Sequence, residues 1–517
     1  MNKDIYMVTR VISSSITGVE GVCVDVEAFI ARGIPAFDIV GLASASIKES
    51  KDRVRAALIT SGYRMPPARI TVNLSPADIK KEGTAFDLPI ALSILQESRQ
   101  LDMPKLTNTL LLGELSLNGE LVPINSCLPM VISALQRGIS NVIVPFDNAN
   151  ELNCLENAHI FPAKTLREAA EHLADIKPID ELQQKDYEEL LHSQSFTNDL
   201  SQVKGQFMAR AGLELAAAGG HNMLMIGAPG SGKTMLARCL PSILPTMSYR
   251  EALETTKIHS RAGMLVSGGG LICQRPFRAP HHTASSASII GGGRLAMPGE
   301  ISLAHNGVLF LDEFPEFDRK LIEALRQPLE DGIISVSRVG ARETYPANVM
   351  LVASMNPCPC GNYGSKVKKC TCSPSAIASY LSRISGPMLD RMDIQVEMDA
   401  VSIEDIRSSQ EPESSASVAK RVQRARKIQE ARYKDLPIHC NAQLDAGLIE
   451  QFCKIDSESE KLLHNAIARY GLSLRGYSRA LKLARTLADI DEEKDISSDH
   501  ILRALQFRNL EGKFWGK

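Results

Sequence analysis

The segment IGAPGSGKTMLARCL, residues 226–240, narrows the architecture more than any other part of the chain. Gly227-Ala228-Pro229-Gly230-Ser231-Gly232-Lys233-Thr234 fits the pattern G-x-x-x-x-G-K-[ST], after an apolar run and before a helical one. Such a loop works where a buried strand delivers it to the N-terminus of a helix, because backbone N–H groups and the helix dipole together favour a phosphate there. Lys233 is expected to reach the β- and γ-phosphates of a nucleoside triphosphate, and the Thr234 hydroxyl to ligate Mg²⁺. A glycine-rich turn that binds nothing would not need both the strand and the helix.

A second apolar run, GVLFLD (307–312), delivers Asp312 and Glu313 to a strand end. Asp312 is expected to hold the metal with Thr234, and Glu313 to orient or deprotonate the attacking water. A third, NVMLVAS (348–354), runs into Met355-Asn356. The Asn356 amide would position the same water and sense the γ-phosphate. Short apolar runs of this kind, without alternation, predict the buried strands of a parallel sheet.

At 517 residues the chain exceeds one hydrophobic core, so several domains are expected. Residues 1–175 mix β-branched runs (70–76, 110–117, 141–147) with helical stretches, predicting an α/β domain. A polar linker follows at 176–204, then the nucleotide-binding domain at 205–400. Residues 401–435 read as a mobile Ser/Glu-rich loop with a connecting helix, and 436–517 as a helical domain including 478–490 and 498–507. Lys plus Arg total 58 against 60 for Asp plus Glu, so any nucleic-acid surface must be local. No run of about 18 apolar residues predicts a membrane span. The N-terminus lacks the pattern of a signal peptide. Eleven cysteines in such a chain read as reduced thiols, and a cytoplasmic location is expected.

These strands and the helical tail together resemble an AAA+ ATPase. FRAPHHTASSASIIGGG (277–293), PGEISLAHNGVLFLDEFPEF (298–317) and MNPCPCG (355–361) are similar to the magnesium-chelatase subunit I branch. From FDIVGLASASIKESKDRVRAAL (37–58) to the terminal helices, the whole chain resembles the ComM/YifB, magnesium-chelatase-like family. The resemblance implies an ATP- and Mg²⁺-dependent hexameric ring that acts as a DNA branch-migration helicase during natural transformation, with recombination proteins as further partners. It also implies an arginine supplied to the neighbouring subunit's site, from Arg391 or its rival Arg383, and a lid arginine, Arg475, facing the γ-phosphate. KKEGTAFDLPIAL (80–92) and residues 113–145 resemble the Lon protease fold, an α+β fold of the ribosomal S5 domain 2 type. The nucleophile position there holds Ala85, and no lysine lies between Gly113 and Pro145, so peptidase chemistry is not expected. The runner-up to a DNA motor is a motor that remodels a protein partner, as in the magnesium chelatase complex.

Residues 333–349 read as a hairpin with Arg338 and Arg342 flanking its turn, suited either to phosphate contact in a ring pore or to plain solvation. The insertion at 268–293 carries Arg275, Arg278, His281 and His282, with Arg278 a further candidate for DNA contact. Cys358, Cys360, Cys370 and Cys372 fall within 15 residues. They suit a structural Zn²⁺ that presents Lys366, Lys368 and Lys369, although Cys-x-Cys pairs depart from the usual zinc spacing and free thiols remain the alternative.

Overall fold

Side-chain alternation organises one sheet of this protein and unbroken apolar runs organise the other. The computed structural model describes all residues except 1–8, 82, 193, 266–269, 294–295, 339–340, 365–367, 400–411, 471–473, 509 and 516–517. The chain divides into two units, Met1–Ser193 with Tyr249–Ile272, and Gln194–Ser248 with Cys273–Lys517.

The first unit holds a seven-stranded mixed sheet. Its strands are β1 (Thr9–Thr17), β2 (Glu20–Ala31), β3 (Ala36–Val40), β4 (Arg69–Ser75), β5 (Thr109–Leu111), β8 (Asn141–Pro145) and β9 (His159–Ala163), ordered β3-β4-β2-β1-β5-β8-β9. β6 (Glu114–Leu115) and β7 (Leu121–Val122) form a separate short pair. β1, β2 and β4 pair antiparallel, whereas β1-β5-β8-β9 and β3-β4 pair parallel. Alternation places Ile70, Val72 and Leu74 of β4 in one core with the helix Ala45–Thr60. β8 sends Ile143 to that core, and Val142 and Val144 to a second one against the helix Cys127–Gln136. The run expected as one strand at 110–117 breaks at Gly113. A Cβ there would lie 2.5 Å from Leu121 Cδ2, so the chain turns into the β6–β7 pair.

The helix Tyr249–Arg261 also belongs to this unit, although contiguity in sequence put it within the nucleotide-binding span 205–400. Its Ser260 hydroxyl donates to the buried Glu151 carboxylate at 3.0 Å, Lys257 pairs with Glu20 at 2.9 Å, and Ile258 is buried.

The second unit is built on a parallel five-stranded sheet ordered β11-β14-β17-β10-β18. Its members are β10 (Met223–Gly227), β11 (Phe277–Arg278), β14 (Val308–Leu311), β17 (Met350–Met355) and β18 (Ile394–Met398). Every residue of β10, β14 and β17 is buried, as expected of strands covered on both faces. Two short antiparallel pairs stand apart, β12 (Gly291–Gly292) with β13 (Met297–Pro298), and β15 (Ile333–Arg338) with β16 (Ala341–Pro346). The helix Phe207–Gly219 and the C-terminal helices Ser415–Arg432, Leu474–Ile490 and Ser498–Gln506 share one apolar core with the sheet. A buried polar network stitches the same layers. His221 contacts Asp393 at 3.1 Å through Nδ1 and Thr486 at 2.8 Å through Nε2, and Asn441 donates to Thr486 and Asp489. Among the described residues, no helix is long and apolar enough to cross a membrane.

Candidate nucleotide-binding site

β10 ends at Gly227, and the helix Lys233–Arg238 begins after a loop that only glycine forms cheaply. Gly230 and Gly232 have φ of +80° and +91°. Gly227 is required for space, since a Cβ would lie 2.6 Å from the Met398 carbonyl oxygen. The Lys233 ammonium donates to the carbonyls of Gly227 (2.7 Å) and Ala228 (3.0 Å) and to Asn356 Oδ1 (3.4 Å). Burial lowers its pKa, against the attraction of Asp312 and Glu313. Ser231 Oγ is buried and has no hydrogen-bond partner among the described residues.

Parallel pairing of β14 with β17, and of β17 with β10, brings three strand ends together. Thr234 Oγ1 donates to Asp312 Oδ2 at 2.8 Å, Ser354 Oγ donates to Asp312 Oδ1, and the Glu313 N–H donates to Asp312 Oδ1 at 3.0 Å. Glu313 sits at φ +54°, a sparsely populated backbone region for a non-glycine residue, and its carboxylate contacts His282 Nδ1 at 3.1 Å. The rings of His281 and His282 lie tilted against each other by 32°, with centroids 4.2 Å apart. Thr234, Arg238, His281, His282, Asp312 and Glu313 line a cavity of about 260 Å³.

This donor set fits a Mg²⁺-nucleotide. A hydroxyl and a carboxylate in contact on the cavity wall offer hard oxygen ligands, and the Lys233 ammonium is held beside them on the glycine loop. Ser354 and His282 complete the cluster without having stood out as catalytic candidates in the sequence. Ser354 lies inside an apolar run and meets Asp312 only through strand register. Gln206 was likewise hidden. At φ +55° it donates to the Ser231 carbonyl at 3.2 Å and to the Asp399 carbonyl at 2.6 Å, fastening the chain before the helix Phe207–Gly219 to the phosphate loop. Phe207, next in sequence, is exposed beside a second cavity lined by Lys204, Arg210 and Glu413.

The arginines are placed differently. Arg391 is buried, ion-paired with Glu330, and its pKa is lowered by burial and by Arg326, Arg475 and Arg479. Arg383 is half exposed and pairs with Glu316 at 2.6 Å. Arg475 is exposed and pairs with Asp390 at 3.6 Å, beside Arg391 rather than Lys233. Arg278 forms a two-pronged ion pair with Glu300 at 2.6 and 2.8 Å. Arg275 donates to the carbonyls of Pro245, Thr246 and Asn306. The hairpin expected at 333–349 is present as β15–β16, with Arg338 opposite Ala341 and Arg342 opposite Ser337. The side chains of Arg338 and Arg342 lie outside the described residues, as does Lys366, while Lys368 and Lys369 are exposed. The sulfurs of Cys358, Cys360, Cys370 and Cys372 come together within 4.8 Å of one another.

Comparison with known proteins finds family matches between residues 26 and 508. Residues 199–406 match the family described as magnesium chelatase, subunit ChlI. Residues 26–148 match subunit ChlI of Mg-chelatase, and 412–508 match the C-terminal part of that subunit. The uncharacterized protein YifB of Escherichia coli K12 is 43% identical over 96% of both chains. Competence protein ComM of Haemophilus influenzae Rd is 41% identical over 97% of both. The magnesium-chelatase 67 kDa subunit of Chlorobaculum parvum is 30% identical over 25% of this chain and 18% of its own length. With such relatives matching almost end to end, the chain belongs to the magnesium-chelatase-like ComM/YifB family.

Proposed function

We propose that the protein is an AAA+ ATPase that assembles as a hexameric ring, binds DNA, and translocates on it or migrates branched junctions during recombination in natural transformation. The observation that carries the hydrolytic part is the contact of Thr234 and Ser354 with Asp312 beside Glu313, at the mouth of the loop that holds Lys233. Bound Mg²⁺ would neutralise charge on the transferred phosphoryl group, held by Thr234 and Asp312. Lys233 and the backbone from Gly227 to Gly232 hold the phosphates of ATP, and exposed Phe207 offers its ring to the base. Glu313 takes the proton from the attacking water once it leaves His282, and Asn356 orients that water. A trans arginine must project from its own subunit, and half-exposed Arg383 meets that requirement better than buried Arg391. Arg475, beside Asp390, would act from the same arginine-rich region.

The DNA and competence parts draw on ComM, whose name marks it as a competence protein, and on the β15–β16 hairpin. Arg338 and Arg342 are the proposed phosphate contacts. Arg278 is a weaker candidate because Glu300 already occupies its guanidinium. In this reading the first unit is a Lon-protease-like domain without peptidase chemistry, with Ala85 where a nucleophile would stand. The C-terminal helices form the lid, the cysteine cluster holds a structural Zn²⁺, and the protein works in the cytoplasm. The second reading, a motor that remodels a protein partner, is favoured by the chelatase-subunit matches.

The deciding experiment measures ATP turnover with and without four-way-junction DNA, in the unaltered chain and in Arg338→Ala. Stimulation that the substitution removes is expected. Turnover indifferent to DNA would replace the DNA reading with the protein-remodelling one.

A further inference from the structure

Two residues beyond Asn356, the chain enters a loop that has too little apolar surface to hold itself together. Four sulfurs stand where a core would be. Cys358 is buried, and its Sγ lies 3.4 Å from that of Cys360 and 3.7 Å from that of Cys370, with 3.6 Å between Cys360 and Cys370. A disulfide would require about 2.05 Å, so these are separate thiols. One ion at about 2.3 Å from four thiolates sets a tetrahedron with edges of about 3.8 Å, close to the spacing seen. The Asn362 side-chain amide donates to the Cys360 carbonyl at 3.1 Å and reaches the Cys360 sulfur at 3.9 Å, holding this turn of the loop.

A second observation ties this cluster to the phosphate loop. The Gly361 N–H closes a turn on the Cys358 carbonyl at 2.9 Å, and Gly361 takes φ +77°. A Cβ on Gly361 would lie 2.4 Å from Pro229 Cδ. The turn held by the cysteines is therefore seated directly against the third residue of the phosphate loop. On its other side, Asn356 accepts from Lys233.

We infer that Cys358, Cys360, Cys370 and Cys372 bind one divalent ion of the zinc class, and that this centre braces the phosphate loop through Gly361 against Pro229, so that its occupancy sets nucleotide affinity. The inference rests on the zinc and nucleotide readings given above. The four thiols bind as thiolates and release their protons to solvent. The ion replaces the missing apolar core of the loop, because cross-linking the two Cys-x-Cys pairs removes the entropy of a loop that would otherwise sample many conformations.

The test uses the full chain with Mg²⁺ in fixed excess. Zinc content is measured by elemental analysis, and affinity with a fluorescent ATP analogue, before and after a zinc-selective chelator. About one zinc per chain is expected. Stripping it should weaken analogue binding about tenfold, and added Zn²⁺ should restore it. Gly361→Ala retains all four thiols, so it should keep its zinc yet bind the analogue about tenfold more weakly. A purified chain that neither contains nor takes up zinc would overturn the metal site. Full zinc content in the purified chain, with affinity unchanged both by stripping the zinc and by Gly361→Ala, would overturn the brace and leave the metal site standing. An unaltered chain with no affinity for the analogue would instead bring down the nucleotide reading, and the brace with it.

Discussion

In the first unit the buried Asp87 carboxylate accepts from Arg53 Nε at 2.6 Å, from Arg53 Nη2 at 3.1 Å and from the Leu115 N–H at 3.2 Å. In the second, the Asp312 carboxylate also accepts three hydrogen bonds, from Thr234, Ser354 and the Glu313 N–H, but Thr234, Asp312 and Glu313 line a cavity of about 260 Å³. Both carboxylates are hydrogen-bonded by their neighbours, yet Asp87 is fully buried while Asp312 stands on a cavity wall. Burial raises the Asp87 pKa, and Arg53 and its neighbours pull it back, an internal settlement that leaves nothing for a ligand. The comparison teaches that a charged group can become a site where its partners hold it at a cavity wall rather than seal it in a core.

The largest effect should come from the open end. Glu313→Gln removes the proposed base while keeping size and hydrogen bonding, so ATP turnover should fall about 10²–10⁴-fold with analogue affinity retained. Turnover within a few-fold of the unaltered chain would mean that Glu313 is as settled as Asp87. The closed end should respond in stability instead. Arg53→Met leaves a buried carboxylate without its cation, so urea denaturation should show a loss of about 3 kcal/mol, with turnover per folded molecule unchanged. A loss below about 1 kcal/mol would show that the pair is dispensable and blur the contrast.

The smallest effect sharpens the comparison within the second unit. Burial pushes the Asp393 carboxyl up, but the hydrogen bond and charge of His221, with Arg479 and Lys482, outweigh it and hold the pKa at about 2. The folded value lies below the unfolded one. The stabilisation is therefore complete above about pH 4 and disappears as pH falls toward 2, amounting to about 2 kcal/mol. Stability followed by denaturant titration from pH 6 to pH 2 should decline in this window, and less steeply in Asp393→Asn. Parallel declines in the two proteins would remove Asp393 from the account.

Much of the second sheet was legible because burial on both faces forces β10, β14 and β17 to be unbroken apolar runs that end in polar residues. The phosphate loop and Asp312-Glu313 follow from the same punctuation. What depends on register or through-space pairing was not legible. Ser354 reaches Asp312 because β14 and β17 are parallel with Leu311 opposite Ala353, and no local pattern encodes that offset. The pairing of Glu313 with His282 crosses from a strand end to an insertion. Arg391, which the family resemblance offered with Arg383 for a neighbour's site, is buried against Glu330, a matter of packing rather than spacing. In the first unit, β1 was obscured by Ser13, Ser14 and Ser15, all buried. There Ser13 donates to the Leu111 carbonyl and Ser14 contacts Ser133 at 3.0 Å, so hydroxyls do what aliphatics usually do.

The helix Tyr249–Arg261 has a consequence for biosynthesis. The first unit includes Met1–Ser193 but is finished only by Tyr249–Ile272, after the chain has already laid down β10 and the phosphate loop. A ribosome delivers these pieces in order, so the N-terminal unit waits, with the faces of Cys127–Gln136 and Glu151 uncovered, until residue 272 has emerged. A single proteolytic cut at 193 would free neither unit intact, because the chain passes between them again at 248 and at 272. The two units are thus inherited, synthesised and degraded as one piece, and a gene truncated between them would yield a fragment with an open core.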